Sequence, residues 1–366
     1  MRKIVLWVAA VAVLFAALPL AAAVCVPPDR GTWSTRAPYP LVANVRAWGT
    51  YFPDNGKFYA FGGRTADGTG NDVLNPREYD PVTDTWATKS ASFADAQVDN
   101  MVGGVLDFGG TNLVVLVGGS AGGTTVTTDQ VRAYDPLADT MTPLASDGWP
   151  GAGGTTTLPG GAAVYNNKLY VFGGFVVSPG SMVDNIWEFD PAAAAGSRWT
   201  EKTATLPTGL GYIPAATSGA NIYLLGGSMW DGATLVDTVS ALKYDPVGDV
   251  ISTVTAIPRA TAETRAITQT DGTIWVLGGG RTAPNPSAEV DIYDPVADLW
   301  STGPALTNAR RNFAADVDPA TGRIWAVGGY DIDGITPLGV NEEYVCWIFV
   351  DGFEAGNTSA WSLVVP

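Results

Sequence analysis

IWVLGG, residues 274–279, decides the fold because five other stretches repeat it: KFYAFGG (57–63), LVVLVGG (113–119), KLYVFGG (168–174), IYLLGG (222–227) and IWAVGG (324–329). Successive glycine pairs are 56, 55, 53, 52 and 50 residues apart. Each run is short, rich in β-branched and aromatic residues, and stopped by glycines. It reads as a buried strand that leaves its sheet where side chains would crowd a neighbour. A repeat that accounts for the whole length replaces any division of the 366 residues into two or three domains.

A second element follows each of the first five pairs: REYDPVTDTW (77–86), RAYDPLADTM (132–141), WEFDPAAAAGSRW (187–199), LKYDPVGDVI (242–251) and DIYDPVADLW (291–300). A strand ends at the aromatic, Asp-Pro opens a tight turn, and an apolar residue starts the returning strand. The Asp-x-x-x-Asp spacing, as at Asp80 and Asp84, lacks the further oxygen ligands of a calcium loop, so it reads as turn chemistry and no metal is expected.

Composition agrees with many short strands: 44 Gly, 25 Pro and only 15% charged residues. The net charge of −16 repels phosphate backbones, which argues against nucleic acid as a partner. The chain has no histidine, which removes the commonest metal ligand and general base. Its first residues, MRKIVLWVAAVAVLFAALPLAAAVC, show two basic residues, an apolar run and a small-residue site at Ala21-Ala22-Ala23. They read as a secretory signal over 1–23, with a retained anchor as the alternative. A secreted or periplasmic location follows, with no membrane insertion after cleavage.

The repeated strand, glycine pair, tyrosine and tryptophan resemble the kelch repeat. The resemblance implies an all-β fold: a six-bladed β-propeller over 24–348, each blade a four-stranded antiparallel sheet, with strands A to D running outward from the axis. Residues 349–366 form a tail. Its DGFEAGNTSAW (351–361) resembles a segment near the ends of secreted bacterial proteins, and Asn357-Thr358-Ser359 is a sequon by pattern.

The sixth copy, GVNEEYVCWIF (339–349), has no Asp-Pro turn and no later Trp strand, whereas GTWSTRAP (31–38) has a Trp and no preceding C strand. The N-terminal segment is therefore expected to supply the D strand of blade six. That closure brings Cys25 near Cys346, and a Cys25–Cys346 disulfide is expected. Two thiols or a lipid on Cys25 are the alternatives.

Strand direction puts the starts of the A strands and the residues after the glycine pairs on one face. Alignment of the A strands matches Arg46, Arg265 and Arg311, with Asn100, Gly160 and Ile213 as the counterparts in blades two to four and Tyr212 adjacent. Arg64 and Arg281 follow glycine pairs on the same face. Five arginines around one opening of an acidic chain suggest an anionic ligand, a carbohydrate or an acidic peptide, bound by a monomer without a cofactor. Pairing of the arginines with carboxylates of adjacent blades is the competing structural reading. Asp231, Asp331, Asp333 and Glu263 are acids of this face, and Trp230 and Tyr330 are its candidate stacking rings.

Copper oxidases of the galactose oxidase type share kelch blades, but their copper needs histidines this chain lacks. Sialidases share six blades and an arginine triad, but their turn box is absent. Exported kelch-type sialic-acid mutarotases are the enzyme alternative, since carboxylates alone can open a sugar ring.

Overall fold

Three-residue to nine-residue strands separated by glycine and Asp-Pro turns have no length in which to form helices, and only one short 3₁₀ turn, Pro150–Ala152, occurs among the described residues. The computed structural model describes residues 31–280 and 286–346, without the side chain of Cys346.

Six four-stranded antiparallel sheets surround a central axis. Blade one runs Trp48–Phe52, Lys57–Phe61, Arg77–Asp80 and Thr85–Thr88 from the axis outward. Blades two, three and five repeat that order, and blade four inserts an extra hairpin, Ser228–Trp230 with Leu235–Asp237, after its glycine pair. Blade six takes Ala314–Val317, Ile324–Val327 and Asn341–Cys346 from the C-terminal side and closes with Gly31–Thr35, pairing Gly31 with Cys346 and Trp33 with Tyr344. The D strand expected from the N-terminal segment is thus in place, and it removes two free sheet edges. Cys25 and the Cys346 side chain lie outside the described residues, as do the signal segment, Arg281 and the tail.

The core lies between blades. Second strands are buried on both faces because adjacent blades pack on each side, and Trp33, Trp275, Phe313, Ile324 and Tyr344 form one such layer between blades five and six. The Asp-Pro turns add a polar staple. In four blades the tyrosine hydroxyl donates to the second aspartate of the turn: Tyr79 to Asp84 (2.7 Å), Tyr134 to Asp139 (3.0 Å), Tyr244 to Asp249 (2.9 Å) and Tyr293 to Asp298 (2.7 Å). Each of these aspartates also accepts a backbone N–H from the neighbouring blade, as Asp249 does from Thr203 at 2.7 Å. The first aspartate caps its own turn, Asp80 accepting from Val82 and Thr83. Both carboxylates of the motif therefore have structural partners.

Blade three has Phe189 where the hydroxyl would be. Here Asp147 of blade two reaches across instead, accepting from Arg198 (2.6 Å) and Gly196 N–H (2.8 Å). The outer tryptophans complete the joints by donating to carbonyls of the preceding blade, Trp86 to Ala37, Trp199 to Asp147, Trp300 to Thr255 and Trp33 to Pro304.

Candidate functional site

The six inner strands enclose a cavity of about 600 Å³ on the axis. Strand pairing fixes which residues share its rim. The residue opposite the last apolar position before the glycine pair is Trp48, Val102, Gly161, Arg265 and Ala314 in blades one, two, three, five and six. In blade four it is Pro214, whose carbonyl accepts Leu225 N–H. Two residues earlier stand Arg46, Asn100, Pro159, Tyr212, Glu263 and Asn312, and all six line the cavity.

This register corrects the alignment of arginines. Only Arg46 occupies the rim position; Arg265 lies two residues past its counterpart Glu263, and Arg311 one residue before Asn312. Matching the letters slid the frame, because backbone pairing, not residue type, sets the register. Asn100 and Tyr212 are rim residues, while the Gly160 and Ile213 counterparts shift by one.

Five of the six rim residues hold left-handed backbone: Arg46 (φ 63°), Asn100 (56°), Tyr212 (52°), Glu263 (54°) and Asn312 (57°). Such angles cost non-glycine residues about 1 kcal/mol or more each. In four of the five the bend offsets this by turning the amide toward the preceding blade. Arg46 N–H bonds Asn312 C=O (2.7 Å), Asn100 bonds Arg46 (2.9 Å), Glu263 bonds Tyr212 (3.2 Å) and Asn312 bonds Glu263 (2.5 Å).

The arginines divide into two classes. Arg64 and Arg311 are held by carboxylates: Arg64 by Asp99 at 2.9 Å and Asp67 at 2.5 Å, and Arg311 by Glu263 and, at 2.6 Å, by the Gly334 carbonyl. Neither lines the cavity. Both belong to a layer beneath the rim built on Tyr330, whose ring lies 4.4 Å from the Arg311 guanidinium and whose hydroxyl donates to Asp67 (2.6 Å). Tyr330 is buried, so its ring is part of the packing rather than an open stacking platform. Burial pushes Asp99 up to about 7 in spite of Arg64 and Arg46 beside it.

Arg46 and Arg265 face the cavity. Arg46 Nε donates to Tyr330 Oη at 3.2 Å. Burial works against its charge, but Tyr330, Tyr212 and Glu263 outweigh it and raise its pKa. Arg265 reaches past blade six to blade one, donating from Nε to Phe313 C=O (3.2 Å) and from Nη2 to Ala47 C=O (2.8 Å). Burial lowers its pKa to about 10, with only Asp316 acting in the other direction.

Asp316 also lines the cavity, and nothing in the sequence distinguished it. Its Oδ2 accepts from Thr50 Oγ1 and Tyr51 N–H, both at 2.8 Å, and burial raises its pKa against these bonds. The loop acids are otherwise engaged: Asp231 caps Ala233 and Thr234, Asp333 caps Ile335 and Thr336, and backbone donors hold both carboxyls below the usual range. For Asp333 the Thr336 hydroxyl is the largest cause of that lowering. Opposite the arginines, blade three's long strands, Lys168–Val176 and Ser181–Phe189, carry Phe175 above the rim. Its ring lies 6.0 Å from Tyr212 and 5.8 Å from Trp230. The opening is cationic on one side and aromatic on the other.

The family model described as Kelch motif matches residues 157–201 and 265–307, within blades three and five. Kelch-like protein 36 of Mus musculus is 27% identical over 264 residues, covering 71% of this chain and 40% of that protein. Beta-scruin of Limulus polyphemus is 30% identical over 178 residues, covering 46% of this chain and 18% of that protein. The chain thus spans less than half the length of these curated relatives. Among solved structures, one titled "Structure of YjhT" superposes with a TM-score of 0.63 at 15% identity, covering 84% of this chain and 96% of that one. Sheet order and register make the chain a six-bladed β-propeller, and the kelch motif matches two of its blades.

Proposed function

We propose that this chain is an extracytoplasmic binding protein whose cavity mouth takes a ligand bearing a carboxylate, on a carbohydrate or an acidic peptide. Protein binding is the form of this reading that the kelch motif supports. The observation that carries the finer form is the pair Arg46 and Arg265. Both line the cavity, and among the described residues no carboxylate oxygen comes within 4.0 Å of either guanidinium. A buried guanidinium satisfied only by neutral oxygens gains from an incoming anion what it lost in hydration. The aromatic wall opposite suits a sugar ring. The N-terminal basic and apolar segment supports export.

Titration calorimetry with oligogalacturonate and with a glutamate-rich peptide tests this. Arg265→Ala is expected to weaken binding at least about tenfold, the scale of a lost charge-assisted hydrogen bond. Failure of both acidic probes to bind, or unchanged affinity in the variant, overturns it.

A second reading, acid–base conversion of a sugar at its anomeric centre, is favoured by Asp316, a cavity-lining carboxyl with a raised pKa near Arg265. Anomeric exchange seen by NMR for a bound sugar, and lost in Asp316→Asn, is its signature.

A further inference from the structure

We infer that the rim holds one notch for a hydrogen-bond donor of the ligand, between blades two and three, and that the donor is a hydroxyl of a carbohydrate acid whose carboxylate meets Arg46. The inference rests on the reading above and sharpens it.

The rim is laced by amide-to-carbonyl bonds between neighbouring blades at four boundaries, through Arg46, Asn100, Glu263 and Asn312. Between blades three and four the lacing slips one residue, Ile213 N–H donating to Gly160 C=O at 2.6 Å. Between blades two and three no such bond occurs among the described residues. The cause is one residue. The strand pairs Leu158 with Phe175 and Pro159 with Gly174, which puts Pro159 at the rim position, and proline has no N–H to give. The Asn100 carbonyl, the acceptor due at this boundary, has no hydrogen-bond donor among the described residues.

A carbonyl left without a donor at a concave wall is a poor arrangement until something supplies one. Around it the wall is main chain rather than side chain, because Gly103, Gly104, Gly160 and Gly161 line the cavity in these two blades. One blade away stands Arg46, whose carbonyl accepts the Asn100 N–H and whose side chain lines the same cavity. An acceptor beside a cation asks for a ligand with a donor beside an anion. A sugar acid carries both on one rigid ring, and Tyr212, the next rim residue past Pro159, offers that ring a face. Pro159 thus acts as a positioning residue by what it fails to donate.

Pro159→Ala restores the missing amide. Hydrogen exchange is expected to show the amide at position 159 protected, and calorimetry to show oligogalacturonate binding weakened about tenfold as the notch closes. With the unaltered protein, O-acetylated oligogalacturonate, whose hydroxyls are blocked, is expected to bind as weakly. Rapid exchange at position 159, or full affinity in Pro159→Ala and for the acetylated probe while Arg265→Ala still weakens binding, overturns the notch alone. No effect of Arg265→Ala overturns the reading beneath it. Binding of the glutamate-rich peptide but not of oligogalacturonate overturns the carbohydrate assignment.

Discussion

Both ends of this propeller place one left-handed, non-glycine residue in most blades, and the two ends use it in opposite ways. At the Asp-Pro end the residue is always aspartate, Asp84, Asp139, Asp249 and Asp298, and its side chain does the joining: tyrosine of its own blade on one oxygen, backbone of the preceding blade on the other or the same oxygen. At the rim the residues are Arg46, Asn100, Tyr212, Glu263 and Asn312, with no type in common beyond the two asparagines. There the main chain does the joining, amide to carbonyl around the opening. Where side chains carry the architecture they are constrained to one chemistry. Where the backbone carries it, the side chains are released to face the cavity and to differ.

Three measurements would break or sharpen that contrast. The largest effect is expected just beneath the rim, at Asp99. Burial raises its carboxyl from an ordinary value of 3.8 to about 7 in the folded state, so the folded state binds more protons than the unfolded one between these values. Stability contributed by this group is therefore present below about pH 4 and lost as pH rises through 7. Urea denaturation from pH 4 to 7 is expected to show Asp99→Asn gaining on the parent by about 3 kcal/mol, and a parallel pair of curves would contradict it. Next comes Asp249→Gly. It relieves the left-handed angle but removes the bonds from Tyr244 and Thr203, and a net loss of about 2 kcal/mol is expected in the same assay. The smallest effect is Asn312→Gly, which relieves the same kind of angle and keeps both main-chain bonds of the rim. Its stability is expected to stay within about 1 kcal/mol of the parent. Equal losses at Asp249 and Asn312 would erase the distinction between the two ends.

The blades were legible in the sequence because their signals are local. IWVLGG and DIYDPVADLW each state a strand and the turn that ends it, and a fixed period needs no tertiary information. Even the closure by Gly31–Thr35 followed from a missing strand at one end and a spare one at the other. The rim was legible only in part. Arg46, Asn100, Tyr212 and Arg265 do line the cavity, but Arg64 and Arg311 turned out to be buried partners of Asp67, Asp99 and Glu263. Asn312, Pro159 and Asp316 carried no signal, since none belongs to a motif.

By itself, then, the sequence determined the number of blades and their strand order, which depend on patterns within about 50 residues, and the place where the ring closes, which follows from comparing its two ends. Tertiary structure decided which arginines keep an open face and which are neutralised. That outcome turns on strand register and on carboxylates from other blades, as Glu263 of blade five is to Arg311 of blade six. A one-residue slip in register, invisible in composition, moves a guanidinium from the cavity wall into the layer beneath it.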